Sequence, residues 1–143
     1  MMIYLTRKEH FSASRRLFNP SYSYEKNLEI YGKCAYPNGH GHNYEIEVTV
    51  VGEPDKNTGM IIDLKKLSDL IKREITDIVD HRHLNSDIDF LKDVIPTAEN
   101  LATIFWNILA SKISSGRLSI CSVFTNPMWF FLSVCQYAFV GSN

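Results

Sequence analysis

The stretch YEIEVTVV, residues 44–51, decides the fold class. Ile46, Val48 and Val50 point one way and Glu45, Glu47 and Thr49 the other, the period of two that marks a half-buried strand. Upstream, residues 2–14 read as another strand, opening with Ile3 and Leu5 on one face. Between the two, residues 18–33 hold Pro20, Gly32 and many polar side chains and read as a loop, with a short helical turn near Glu25 to Ile30. Downstream, GEPDKNTG (52–59) is dense in turn formers and suggests a hairpin loop, after which Met60 to Ile62 resumes as a strand. Asp63 is a plausible N-cap, and Leu64, Leu67, Leu70, Ile71, Ile75 and Ile78 predict an amphipathic helix over 64–79. A polar stretch, 80–95, follows. Pro96 and Thr97 then open a second helix, with Thr97 as its cap and Glu99 in the first turn, where the helix dipole favours an acid. Leu101, Ile104, Phe105, Ile108 and Leu109 form its core stripe, Gly116 ends the unit, and Leu118 to Phe124 reads as a third long strand. Strand, strand, helix, helix, strand with hairpin-type connections predicts an α+β fold: an antiparallel sheet with helices on one face.

A chain of 143 residues predicts one domain with a real core. Fifteen Lys and Arg against sixteen Asp and Glu leave a formal charge of -1, so charge gives no reason to expect nucleic acid or an anionic membrane as partner. The balance is uneven: all sixteen acids lie at or before Glu99, and the last 44 residues carry only Lys112 and Arg117. Three widely spaced cysteines, Cys34, Cys121 and Cys135, do not read as a disulfide framework, which points to a reducing, cytoplasmic setting. The N-terminus, MMIYLTRKEHF, has charges where a signal peptide needs its apolar stretch. The longest apolar run near the C-terminus, Met128 to Leu132, is far short of the roughly 18 residues that span a bilayer.

His40 and His42 flank Gly41 at the entrance to the strand at 44, so on an extended chain both side chains point to one face. They are either half of a zinc site, since a catalytic zinc takes three protein ligands and keeps one position open, or a polar pair at a loop end. Cys34, six residues earlier beside Lys33, is either an activated thiol or an inert small residue. Asp80 and His81 close the first helix; they fit an oriented general base, or a histidine placed where the helix dipole favours it. His10 and His83 read as surface histidines.

Taken together, FSAS–RL (11–17), GKCAYPNGHGHNYE (32–45), TGMIIDL (58–64), DH–LN (80–85) and TAEN (97–100) resemble, in this order and spacing, the 6-pyruvoyl-tetrahydropterin synthase family. The resemblance covers residues 3–124 of a single pterin-synthase-like domain spanning 1–143, and leaves 125–143 as an atypical tail. It implies a tunnelling fold: a four-stranded antiparallel sheet with two helices on one face, three subunits closing a barrel, and two trimers stacking with sites between subunits. It further implies a metal-dependent lyase that acts on 7,8-dihydroneopterin triphosphate. Bacterial relatives make 6-carboxytetrahydropterin for queuosine from the same substrate, but the longer loop between Cys34 and His40 looks more like the pyruvoyl type. By resemblance, Cys34 is the catalytic thiolate, and Asp80 and His81 are its proton-relay partners from a neighbouring subunit. His40 and His42 match two ligands of a Zn2+ that acts as Lewis acid. Thr97 and Glu99 match a segment lining the pterin pocket.

Two positions depart from the family pattern. Where the family has the third zinc-ligating His, this chain has Arg15, whose guanidinium has no lone pair to give a metal. His10, five residues away, lies on the opposite face of an extended strand. An alternative role for Arg15 is contact with the substrate triphosphate. Where the family has a Glu that grips the pterin edge, this chain has Thr125, which offers a hydroxyl and no charged bidentate acceptor. Beyond it, NPMWFFLSVCQYAFVGSN carries no charge and reads either as a buried final strand or as an altered ending. The resemblance therefore leaves room for a non-catalytic member that keeps the fold.

Overall fold

The computed structural model describes residues 1–126 and 137–141. Strand β1 (Ile3–Arg15) pairs antiparallel with β2 (His40–Gly52) along its whole length, from Ile3 opposite Gly52 to Arg15 opposite His40. The two faces of this ribbon differ because side chains alternate. On one, Thr6 meets Thr49 by a hydroxyl hydrogen bond, Lys8 pairs with Glu45 and Glu47, and Ser12 Oγ donates to Asn43 Oδ1 at 2.8 Å. On the other, Phe11, Ala13, Tyr44, Ile46, Val48 and Val50 are buried. After the helices, β4 (Arg117–Asn126) pairs antiparallel with β2, and β5 (Tyr137–Gly141) pairs antiparallel with β4.

The four long strands follow the expected architecture, but the sheet is not purely antiparallel. A two-residue strand, β3 (Arg82–His83), runs parallel to β1 at Ala13 and Ser14, giving the order β3-β1-β2-β4-β5. The cause is local: His81 N–H donates to Ser12 O at 2.6 Å and Leu84 N–H to Ser14 O at 2.8 Å, which lays the chain alongside β1 in the same direction. The expected strand at Met60 to Ile62 is also absent. Both edges of β2 are taken by β1 and β4, so a returning strand cannot pair with β2 as a hairpin would. Asp55 builds a turn instead, its Oδ1 accepting from the N–H groups of Asn57 and Thr58, and Ile61 and Ile62 pack against the core.

The loop at 18–33 contains a full helix, α1 (Tyr24–Tyr31), capped by Ser23. Its organising residue is polar: the buried Asn27 amide donates to the carbonyls of Asn19, Tyr22 and Ser23. The helix predicted over 64–79 forms in three pieces: α2 (Leu64–Ile71), capped by Asp63, then a π turn (Lys72–Thr76), then α3 (Asp77–Val79). Its buried apolar residues, Leu67, Ile71, Ile75 and Val79, are each four apart. On a regular helix each such step drifts by about 40°, so the π turn's wider winding brings the row back towards the sheet. Leu64 and Ile78, expected in the stripe, are exposed. The second long helix, α4 (Ala98–Ala110), starts at the Thr97 cap and buries Leu101, Ala102, Phe105 and Leu109 in the same core cluster as α2 and the sheet. None of the described helices is long and apolar enough to cross a membrane.

Candidate active site

At one end of the sheet the helix-covered face becomes polar. In the β1–β2 register Phe11 is opposite Tyr44, Ala13 opposite His42 and Arg15 opposite His40. Directly opposite residues share a face, with Cβ atoms about 5 Å apart. The apolar row therefore continues into His42, His40 and Arg15. The two imidazoles stand edge to face with ring centroids 4.6 Å apart. Both ring nitrogens of His40, Nε2 of His42 and the Tyr44 hydroxyl are buried without a hydrogen-bond partner among the described residues. Buried polar atoms are almost always satisfied, so this cluster reads as a place for a ligand.

Arg15 sits in the middle of it. The residue is 1% exposed, its Nη1 donates to Pro96 O at 2.8 Å, and its Cζ lies 5.8 Å from the Tyr44 ring centroid. Burial, reinforced by this fixed positive charge, lowers the pKa of His40 and brings that of His42 down to about 4, so His42 is neutral at physiological pH. Burial pushes the Tyr44 hydroxyl up to about 12, so it stays protonated.

Gly39 shapes the entrance. Its φ is +66°, and a Cβ there would come 2.7 Å from the Arg15 carbonyl oxygen, so only glycine lets the loop approach β1 this closely. Cys34 lies in a short 3-10 turn (Gly32–Ala35) and is partly buried. Leu17 N–H donates to Cys34 O at 2.9 Å and Arg16 Nε to Ala35 O at 2.8 Å, which hold the Cys34 loop against the end of β1. Asn85 supports the same segment from the other side, accepting from Arg16 N–H and donating to Arg16 O.

Asp80 and His81 form a second cluster on the free edge of β1. Asp80 Oδ1 accepts from Ser12 N–H at 2.8 Å, and Oδ2 is 2.8 Å from His81 Nδ1. The Ser12 amide, ahead of His81, holds the Asp80 carboxyl below its ordinary range. The His81 side chain is 82% exposed beside an open cleft lined by Ser12, Ser14, Asn43, His83 and Asp87. Its backbone φ of +57° is a costly conformation for a non-glycine residue. Among the described residues no hydrogen bond or ion pair joins Asp80 or His81 to Cys34, His40 or His42. The cleft beside His81 is also lined by His42.

The Thr97 side chain caps α4, accepting from Asn100 N–H at 3.2 Å, and its neighbour Pro96 anchors Arg15. Glu99 is exposed in the first turn of α4. Thr125 is 7% exposed and opposite Tyr44 in the β2–β4 register, on the face of the polar cluster. The tail expectation lies mostly outside the described residues, Cys135 included; Tyr137–Gly141 is a strand. Sequence reading missed Tyr44 and Pro96. Tyr44 was findable, because it continues the every-second-residue row of His40 and His42.

A zinc ion does not fit the donor set found here. Two imidazoles are adjacent, but the third place holds a guanidinium, which cannot ligate and repels a cation. Among the described residues no group of three His, Cys, Asp or Glu side chains is arranged to hold a metal.

Comparison with known proteins accords with this geometry. Residues 4–126 match the family model described as 6-pyruvoyl tetrahydropterin synthase. A relative from Homo sapiens, 6-pyruvoyl tetrahydrobiopterin synthase, is 42% identical over 114 residues, covering 80% of this chain and 79% of its own. A 6-carboxy-5,6,7,8-tetrahydropterin synthase from Rickettsia conorii is 28% identical over 127 residues, covering 78% of this chain and 83% of its own. The solved structure of 6-pyruvoyl tetrahydropterin synthase from Caenorhabditis elegans superposes with a TM-score of 0.87 at 33% identity, covering 100% of this chain and 97% of that one.

Proposed function

The chain belongs to the 6-pyruvoyl tetrahydropterin synthase family, and from that premise we propose that it is a carbon–oxygen lyase acting on 7,8-dihydroneopterin triphosphate. It expels triphosphate and yields 6-pyruvoyl-tetrahydropterin. The sheet with its helices on one face is the subunit architecture of the tunnelling fold.

The chemistry needs bases and acids placed around a hydroxylated side chain. A base removes the proton from the carbon next to the phosphorylated one. The bond to the triphosphate oxygen breaks, its electron pair leaves with triphosphate, and the resulting enol tautomerises to a ketone. A second hydroxyl-bearing carbon loses hydrogen while the pterin ring gains it, so oxidation of the side chain balances reduction of the ring. No external redox reagent is required. His81, oriented by Asp80, serves as one proton carrier and the Cys34 side chain as the other. His40, His42 and Tyr44 line the pocket that takes the side chain, and Thr97 and Glu99 flank the pterin.

The observation that carries this reading is His81: a strained backbone holds an exposed imidazole at 2.8 Å from an orienting carboxylate. Such strain is retained where surrounding structure enforces it, and it clusters at functional sites. Membership of the family supports a homo-oligomer, a trimer or a dimer of trimers, in which neighbours complete each site. The edge of β1 supports it too, because β3 covers only Ala13 and Ser14.

Greater identity to the pyruvoyl-type relative than to the carboxy-type one favours the pyruvoyl product. A second reading, a member that keeps the fold without turnover, rests on Arg15 and on Thr125, which offers the pterin no carboxylate. Incubation with 7,8-dihydroneopterin triphosphate separates these. Triphosphate release with a pyruvoyl product mass supports the first, a carboxy product mass reassigns the pathway, and no release supports the second.

A further inference from the structure

We propose that Arg15 stands in the place of a metal ion: the pocket beside Cys34 receives the substrate's hydroxyl-bearing side chain on a guanidinium and two imidazoles, and holds no divalent cation. The identity of the substrate rests on the lyase reading; the exclusion of the cation does not.

Three observations converge. Arg15 is directly opposite His40, and Ala13 opposite His42, so all three polar side chains share one face and one end of the sheet. The guanidinium is held in place, being 1% exposed and bonded to the Pro96 carbonyl at 2.8 Å. A long cationic side chain at a surface can swing its head into water, whereas a buried and bonded one stays. Its charge faces the cluster: the strand register puts it directly opposite His40, and its Cζ lies 5.8 Å from the Tyr44 ring centroid. A divalent cation brought to His40 and His42 would therefore meet a permanent positive charge and find no third donor among the described residues.

The same cluster suits a neutral polyol. Both nitrogens of His40 and Nε2 of His42 are buried and unpaired among the described residues, so each can take or give a hydrogen bond to a hydroxyl. Charge-assisted donation from a guanidinium to an oxygen strengthens as that oxygen gains negative charge, the electrostatic task a metal performs elsewhere.

Two measurements on the full-length protein test this. The first is zinc content after exposure to excess zinc and removal of unbound metal. Wild-type protein is expected to retain far less than one zinc per chain, and folded Arg15→His to retain roughly tenfold more. Stoichiometric zinc in the wild type that is lost in His42→Ala would overturn the proposal, as would a folded Arg15→His with no gain. If Arg15→His does not fold, the wild-type result decides alone. The second is binding of unphosphorylated 7,8-dihydroneopterin with and without a chelator. Equal affinity in both conditions, with a loss of about tenfold or more in Arg15→Met, is expected. Affinity that collapses with chelator and returns with zinc would overturn it. Zinc-free protein that releases no triphosphate would refute the lyase reading and leave the exclusion of the cation intact.

Discussion

At His81 the chain accepts a left-handed backbone so that an imidazole can sit beside Asp80 and outside its own core. Replacing His81 with Gln should leave melting nearly unchanged and lower turnover by roughly 10²- to 10⁴-fold, the usual contribution of a positioned acid–base group. Wild-type turnover in folded His81→Gln would remove it from the mechanism. The partner carboxylate sets an acid limit. Because Ser12 N–H lowers the folded pKa of Asp80, its contribution to stability is complete above its unfolded value, about 4, and fades as pH falls through the folded one. Amide exchange at Ser12 should therefore accelerate below about pH 4 in wild type, and show no such acid step in Asp80→Asn. Gly39→Ala should cost more than about 1 kcal/mol in denaturant unfolding, from positive φ and the clash with the Arg15 carbonyl. At this scale the sequence was informative where spacing is short. His40 and His42 two apart on a strand had to share a face. That Arg15 would be buried opposite His40 depended on register, which no local pattern specifies.

Among the elements, β2 and α4 were legible because alternation and a five-residue apolar stripe are strong signals; Leu101, Phe105 and Leu109 of the stripe are buried, and Ile104 and Ile108 pack half-buried against the core. Thr97 and Asp63 were read as caps and act as caps. Three features were not legible. β3 is a two-residue strand created by pairing with β1. The π turn at Lys72–Thr76 follows from fitting a row of residues four apart against the sheet, which becomes visible only once Val79, not Ile78, is known to be buried. Met60–Ile62 has strand composition, but the sheet has no edge free at β2. Asp63→Ala, which removes the acceptor for Lys65 and Lys66 N–H, should destabilise the chain by about 1 kcal/mol. Phe105 packs edge to face on Phe11 and Phe90 at the centre of the core, so Phe105→Ala should cost roughly 3–5 kcal/mol.

For the molecule as a whole, the end of the acidic residues at Glu99 has a structural meaning. The remaining described segments are the core helix α4 and the strands β4 and β5, and the buried positions of α4 and β4 tolerate few charges. Thr125 also falls there, where an anchoring carboxylate was expected by resemblance. Assembly is tested at this scale. Cys34→Ala and His81→Gln, each strongly impaired alone, should recover part of the activity when unfolded together and reassembled, because some sites would then combine an intact Cys34 with a neighbour's intact His81. No recovery in mixed oligomers would place both groups in one chain's site. The most direct test of the function is the reaction itself. Purified protein given 7,8-dihydroneopterin triphosphate should release one triphosphate per substrate consumed, with a product of pyruvoyl-tetrahydropterin mass. Folded, assembled protein that consumes no substrate and releases no triphosphate would contradict it.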